Sequence, residues 1–144
     1  MTKKPLSFGP ITAETFFQAL SLWVTTPPYH KFPCDTINNR LFPAFYTGQI
    51  YGAFDVAGNV RAIITWGFMT DEEFETREYW GPEVFARTDG EKLVFVDMIA
   101  PGGKNDVLSL CREMRKLFKQ AYPHVDKVYA HRGPRNGAFP NKGG

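Results

Sequence analysis

The run Leu93-Val94-Phe95-Val96-Asp97-Met98-Ile99 constrains this chain more than any other segment. Apart from Asp97 it is apolar on both faces, the pattern of a central strand covered on each side. Pro101-Gly102-Gly103 ends the strand, and from Asp106 an amphipathic helix follows. Val107, Leu110, Met114 and Leu117 fall on one helix face, with Arg112, Arg115, Lys116 and Lys119 elsewhere. A strand-loop-helix over Leu93–Tyr122 is therefore the predicted centre of the fold.

Helices and a hairpin precede it. Thr12 caps a predicted helix whose apolar positions Phe16, Phe17, Leu20, Trp23 and Val24 recur at helical spacing until Pro27-Pro28 stops it. A second helix is expected from Pro33-Cys34-Asp35 through Ile37, Leu41, Ala44 and Phe45, kinked at Pro43 and stopped by Gly48. Gln49–Val56 and Val60–Phe68 alternate as strands, and Ala57-Gly58-Asn59 supplies the turn between them. Thr70-Asp71-Glu72-Glu73 has capping-box spacing and opens a short helix toward Glu78. Gly81–Gly90 reads as loop, Lys127–His131 as a further strand, and residues 133–144 as a loose tail. With 144 residues, the chain is expected to form a single domain over 1–144.

Composition excludes several functions. The net charge of +2 gives no broad basic surface for nucleic acid. No apolar run approaches the length of a membrane span, and Gly9, Pro10, Glu14 and Gln18 break any signal-peptide core in Phe8–Leu20. Cys34 and Cys111 show no metal or redox spacing, which fits reduced thiols and a cytoplasmic setting. The 13 Phe residues imply an aromatic-heavy core or contact surface.

Three places can carry chemistry. An ionised Asp97 inside an apolar strand is costly unless paired or hydrogen-bonded. It either lies on a solvated face or in a structural hydrogen bond, or it orients a base or stabilises a cation. His30, in the rigid corner Thr25–Pro33, is either a solvent-facing loop residue or a general base for an amine or hydroxyl. Gly102 and Gly103 either simply turn the chain or, with the following helix, offer backbone N–H groups to a pantetheine-type phosphate. The loop lacks both the Walker ending and G-x-G-x-x-G, and the chain has neither a nucleophile elbow nor H-E-x-x-H.

Several segments, in order, resemble the RTX toxin-activating lysine acyltransferases. They are Leu22-Trp23, Thr25-Thr26-Pro27 with His30, Phe32-Pro33, Phe42-Pro43-Ala44 with Gln49, Trp66, and Phe95-Val96-Asp97-Met98-Ile99-Ala100-Pro101 with Gly103. The family's Ser-Ser-Pro-x-His is Thr-Thr-Pro-Pro-Tyr-His here, matched to His30 by a one-residue slip. Met98 stands where the family has Trp. The resemblance implies an α/β, GNAT-like domain with a central, mostly antiparallel sheet flanked by helices. It further implies His30 as the base that deprotonates an acceptor lysine and Asp97 as its partner or a charge stabiliser. Gly102 and Gly103 become candidate donor contacts. The implied donor is acyl-acyl carrier protein, with no permanently bound cofactor or metal, and the implied partners are that carrier, a lysine-bearing protein and a second copy in a homodimer. The alternative is a catalytically idle module of the same fold, such as a component of a phage particle, with Tyr29, Phe32, Tyr79 and Trp80 as exposed loop aromatics for protein contact.

Overall fold

The computed structural model describes residues 6–76, 81–86, 92–132 and 135–140, with 131, 132 and 135–140 described through their backbone. Six strands form one sheet in the order of the chain: β1 (Ser7–Pro10), β2 (Ile50–Phe54), β3 (Val60–Met69), β4 (Lys92–Ile99), β5 (Lys127–Arg132) and β6 (Arg135–Pro140). All neighbours are antiparallel except β4 and β5, which run parallel because helix α6 (Lys104–Ala121) crosses between them. This is the expected α/β architecture with a mostly antiparallel sheet, and it agrees with a GNAT-like domain.

The sheet is covered on both faces, as the apolar β4 requires. On one face Ala19 and Trp23 of α1 (Ala13–Thr25) pack with Leu41, Ala44, Val84, Phe85, Ile63 and Val94. On the other, Leu110, Met114 and Phe118 of α6 pack on Ile64, Trp66, Phe68, Leu93 and Phe95. Thr12 and Thr15 form the N-terminal box of α1. Gln18 ties that helix to the hairpin, its Oε1 accepting the Val60 N–H at 2.7 Å. Phe17 and Val24, expected on the buried stripe, are instead 77% and 48% exposed. Thirteen residues of helix offer one narrow buried line through Ala19 and Trp23, and those two positions lie off it.

The second helical region is divided: α2 (Cys34–Thr36), a π turn at Ile37–Leu41, and α3 (Phe42–Thr47), closed by Gly48 at φ 75°. The irregularity expected at Pro43 therefore lies just before it, and Pro43 occupies the first turn of α3, where no N–H is needed. The β2–β3 turn is held by the Asp55 carboxylate, which accepts the N–H groups of Ala57 and Asn59.

Thr70 and Glu73 cap α4 (Asp71–Thr76) reciprocally, at 2.8 and 3.1 Å. The expected continuation toward Glu78 lies outside the described residues. Within the segment read as loop, Glu83–Ala86 forms α5 and buries Val84 and Phe85. Gly67 admits this close approach, since a methyl there would overlap the Val84 carbonyl. Arg135–Pro140, expected within a loose tail, pairs with β5. Helix α6 starts at Lys104, ahead of the predicted Asp106, and Phe118 joins its buried face.

Candidate active site

The β3–β4 ladder slips between Ile64 and Trp66, so Val96 and Asp97 together oppose Thr65. Such a bulge re-aims side chains. Leu93 and Phe95 point toward α6, and strict alternation would send Asp97 after them; the extra residue turns it to the face of Trp23 and Val96. The Asp97 N–H, displaced from the regular ladder, donates to the Thr65 hydroxyl at 3.0 Å.

On that face Asp97 meets Arg40 of the π turn. The guanidinium donates from Nε to Oδ2 at 3.1 Å and from Nη2 to Oδ1, a two-pronged ion pair. The Asp97 side chain is 0% exposed and that of Arg40 21%. Trp23 and Phe32 flank the guanidinium, each ring centroid 5.9 Å away. Tyr29, in the 3-10 turn Tyr29–Lys31, completes the group: its hydroxyl accepts the Met98 N–H at 3.3 Å and lies near the Asp97 carboxylate. Burial raises the Asp97 carboxyl above the ordinary carboxylate range, while Arg40 and Tyr29 draw it back down. Burial, followed by the Asp97 charge, holds the Tyr29 hydroxyl firmly in its protonated form.

The paired stretch of β4 and β5 ends at Phe95 and Ala130, although β4 continues to Ile99 and β5 to Arg132. A cavity of about 500 Å³ lies at this parting, lined by Tyr29, Asp97, Met98 and Ala130 and, from α6, by Leu108, Cys111, Arg112 and Arg115 among others. Its walls combine an apolar corridor with two arginines, a lining suited to an amphipathic ligand.

The predicted residues are placed unequally. Asp97 is in the cavity wall. His30 follows Tyr29 in the same turn, is exposed, and donates its backbone N–H to the Thr26 carbonyl at 3.0 Å; its side chain is not part of that wall. Gly103 precedes α6 at φ 106°, a conformation that favours glycine. Gly102 lines a second hollow with Arg61, Asn105, Asp106 and Arg112 among others. Arg112 borders both spaces.

Sequence reasoning missed Arg40, Tyr29 and Thr65. Arg40 carries a signal, being the one charge within the otherwise apolar or neutral stretch Thr36–Phe45. Tyr29 had been expected as an exposed contact aromatic, together with Phe32, Tyr79 and Trp80. It is instead half-buried against β4, while Phe32 is 37% exposed and Tyr79 and Trp80 lie outside the described residues. Among the described residues no three His, Cys, Asp or Glu side chains gather as metal ligands, and no helix is long and apolar enough to cross a membrane.

Other residues shared with the resemblance serve the scaffold. Gln49 donates from Nε2 to the Trp66 carbonyl at 2.8 Å, and the Trp66 indole N–H donates to the Tyr122 hydroxyl at 3.2 Å. A search among curated proteins finds no match to the chain. A family model described as the RTX toxin acyltransferase family matches residues 12–138, thereby taking in the bulged strand, the cavity and the His30 turn together. With that match over most of its length, the chain belongs to the RTX toxin acyltransferase family.

Proposed function

We propose that this protein moves an acyl group from acyl carrier protein, or another pantetheine thioester, to a lysine of a partner protein. The observation that carries this is a largely apolar cavity where β4 and β5 part, bordered by a residue, Asp97, whose carboxylate is buried beside it. An acyl chain suits the apolar walls. Arg112 and Arg115 suit the phosphate of a prosthetic arm or an acidic carrier surface. Gly102 and Gly103 belong beside the second hollow, and their role as donor contacts would run through Arg112, which borders both spaces.

Transfer needs a neutral amine held against a thioester carbonyl. His30 takes a proton from the lysine ammonium, and the freed amine attacks the carbonyl carbon. The C–N bond forms, the C–S bond breaks, and the departing thiolate takes up the proton that the new amide nitrogen sheds. Asp97 orients the surrounding groups and balances the positive charge that develops on nitrogen. No permanent cofactor is needed in this scheme. Cys34 and Cys111, neither of them in a disulfide, fit action in the reducing cytoplasm. The exposed rings of Phe17 and Tyr46 fit contact with a second copy in a homodimer.

Two observations favour the idle alternative: both Asp97 oxygens are engaged by Arg40, and the His30 side chain is outside the cavity wall. Incubation with acyl-acyl carrier protein and a lysine-bearing acceptor, followed by a mass-spectrometric search for acyl-lysine, separates the two. Turnover that His30→Ala lowers about 100-fold without lowering the melting temperature supports catalysis. Equal activity in wild type and mutant contradicts it.

A further inference from the structure

We propose that Arg40 is a positioning residue of this site, holding the Asp97 carboxylate in one orientation beside the cavity and, through Tyr29, docking the turn that carries His30 onto β4. The proposal rests on the acyl-transfer reading above.

A buried ion pair is weak evidence for stability, because well-packed apolar side chains of similar volume often serve as well or better. An Arg–Asp pair in the apolar layer formed by Trp23, Leu41, Val94 and Val96 therefore calls for another account. Its location supplies one. The pair forms at the single bulge in the β3–β4 ladder, where the re-aimed Asp97 borders the cavity. Arg40 comes from a π turn, an irregularity often found at functional sites. Its planar fork meets both carboxylate oxygens, which fixes the carboxylate's rotation as well as its place.

Arg40 also lies against the Trp23 and Phe32 rings, both of which pack on the Tyr29 ring, and the Tyr29 hydroxyl receives the Met98 N–H. This places the Tyr29–Lys31 turn against β4 just past the end of its pairing with β5, and His30 is the next residue in that turn. Arg40 thus acts on the predicted base through two intermediates.

Among the described residues, the charged and titratable groups around Asp97 are Arg40 from the π turn and Tyr29 from the 3-10 turn, with Cys111, Arg112 and Arg115 of α6 lining the neighbouring cavity; Thr65 from β3 is neutral. Of these, only Arg40 meets the carboxylate in an ion pair. Removing its charge leaves Asp97 buried and favours the protonated acid.

The test uses the full chain, with Arg40→Gln to remove the charge and Arg40→Lys to keep the charge without the fork. Carbon-13 NMR follows the Asp97 carboxyl, assigned with Asp97→Asn, while transfer from acyl-acyl carrier protein is measured across pH. Arg40→Gln is expected to move both the Asp97 titration and the acid limb of kcat upward by about one pH unit or more, with KM for the donor within about twofold. Arg40→Lys is expected to fall between, and it decides the matter alone should the glutamine variant not fold. An unmoved Asp97 titration in a folded variant overturns the proposal, as does a loss of activity equal at every pH or a lysine variant with the wild-type profile. If wild type transfers no acyl group, the acyl-transfer reading fails, whereas the NMR titration still decides whether Arg40 governs Asp97.

Discussion

Thr65 holds Asp97 by its backbone, the threonine hydroxyl accepting the aspartate N–H at 3.0 Å across the β3–β4 bulge. Regular pairing would satisfy that N–H with a carbonyl and would turn the carboxylate toward α6. Thr65→Val keeps the shape, removes the acceptor and leaves a buried donor unsatisfied, at a cost of about 1–3 kcal/mol. Chemical denaturation should show that loss, and acyl transfer should fall by a larger factor than a global loss of folded protein explains. A variant with unchanged stability and activity would mean that the bulge is set by other contacts.

Tyr29→Phe should separate the hydroxyl of this residue from its ring. The ring packs edge-on to Trp23 with centroids 4.8 Å apart, and phenylalanine preserves that packing. The lost oxygen strands the Met98 N–H. We expect a loss of about 1–3 kcal/mol. The acid limb of activity should also move upward, because the tyrosine hydroxyl helps lower the Asp97 titration. A pH profile identical to wild type would remove Tyr29 from the site.

The Asp97 titration also makes a prediction for stability. Burial raises its carboxyl in the folded chain above the value it has when unfolded, so the folded state binds this proton more tightly. Its contribution is present below the ordinary carboxylate range and is lost as pH rises through the raised folded value. Urea unfolding of wild type and Asp97→Asn across that window should show the wild-type advantage shrinking as pH rises. An advantage that grows with pH would show that the ion pair outweighs burial.

Much of the fold could be read from local pattern, and the site only in part. The two-sided apolar character of Leu93–Ile99 identified the central strand, and the Thr70–Glu73 spacing identified a cap, because both depend on neighbours in sequence. Asp97 stood out for the same reason, as a charge among apolar residues. Its partner did not, since Arg40 is 57 positions away and reaches it only through a π turn and a bulge, neither of which has a periodic signature. Tyr29 looked like an exposed loop aromatic because the docking of its turn onto β4 is a tertiary event. Helix α5 was read as loop because four residues carry too little pattern to separate them from turn formers.

The most direct test of the account is single-turnover transfer from acyl-acyl carrier protein to a lysine-bearing acceptor, comparing wild type with Asp97→Asn at neutral pH. Acyl-lysine is predicted in the acceptor with wild type, and a rate lower by about 100-fold or more with a folded Asp97→Asn variant. A folded variant that transfers the acyl group as fast as wild type would contradict the central place given to Asp97.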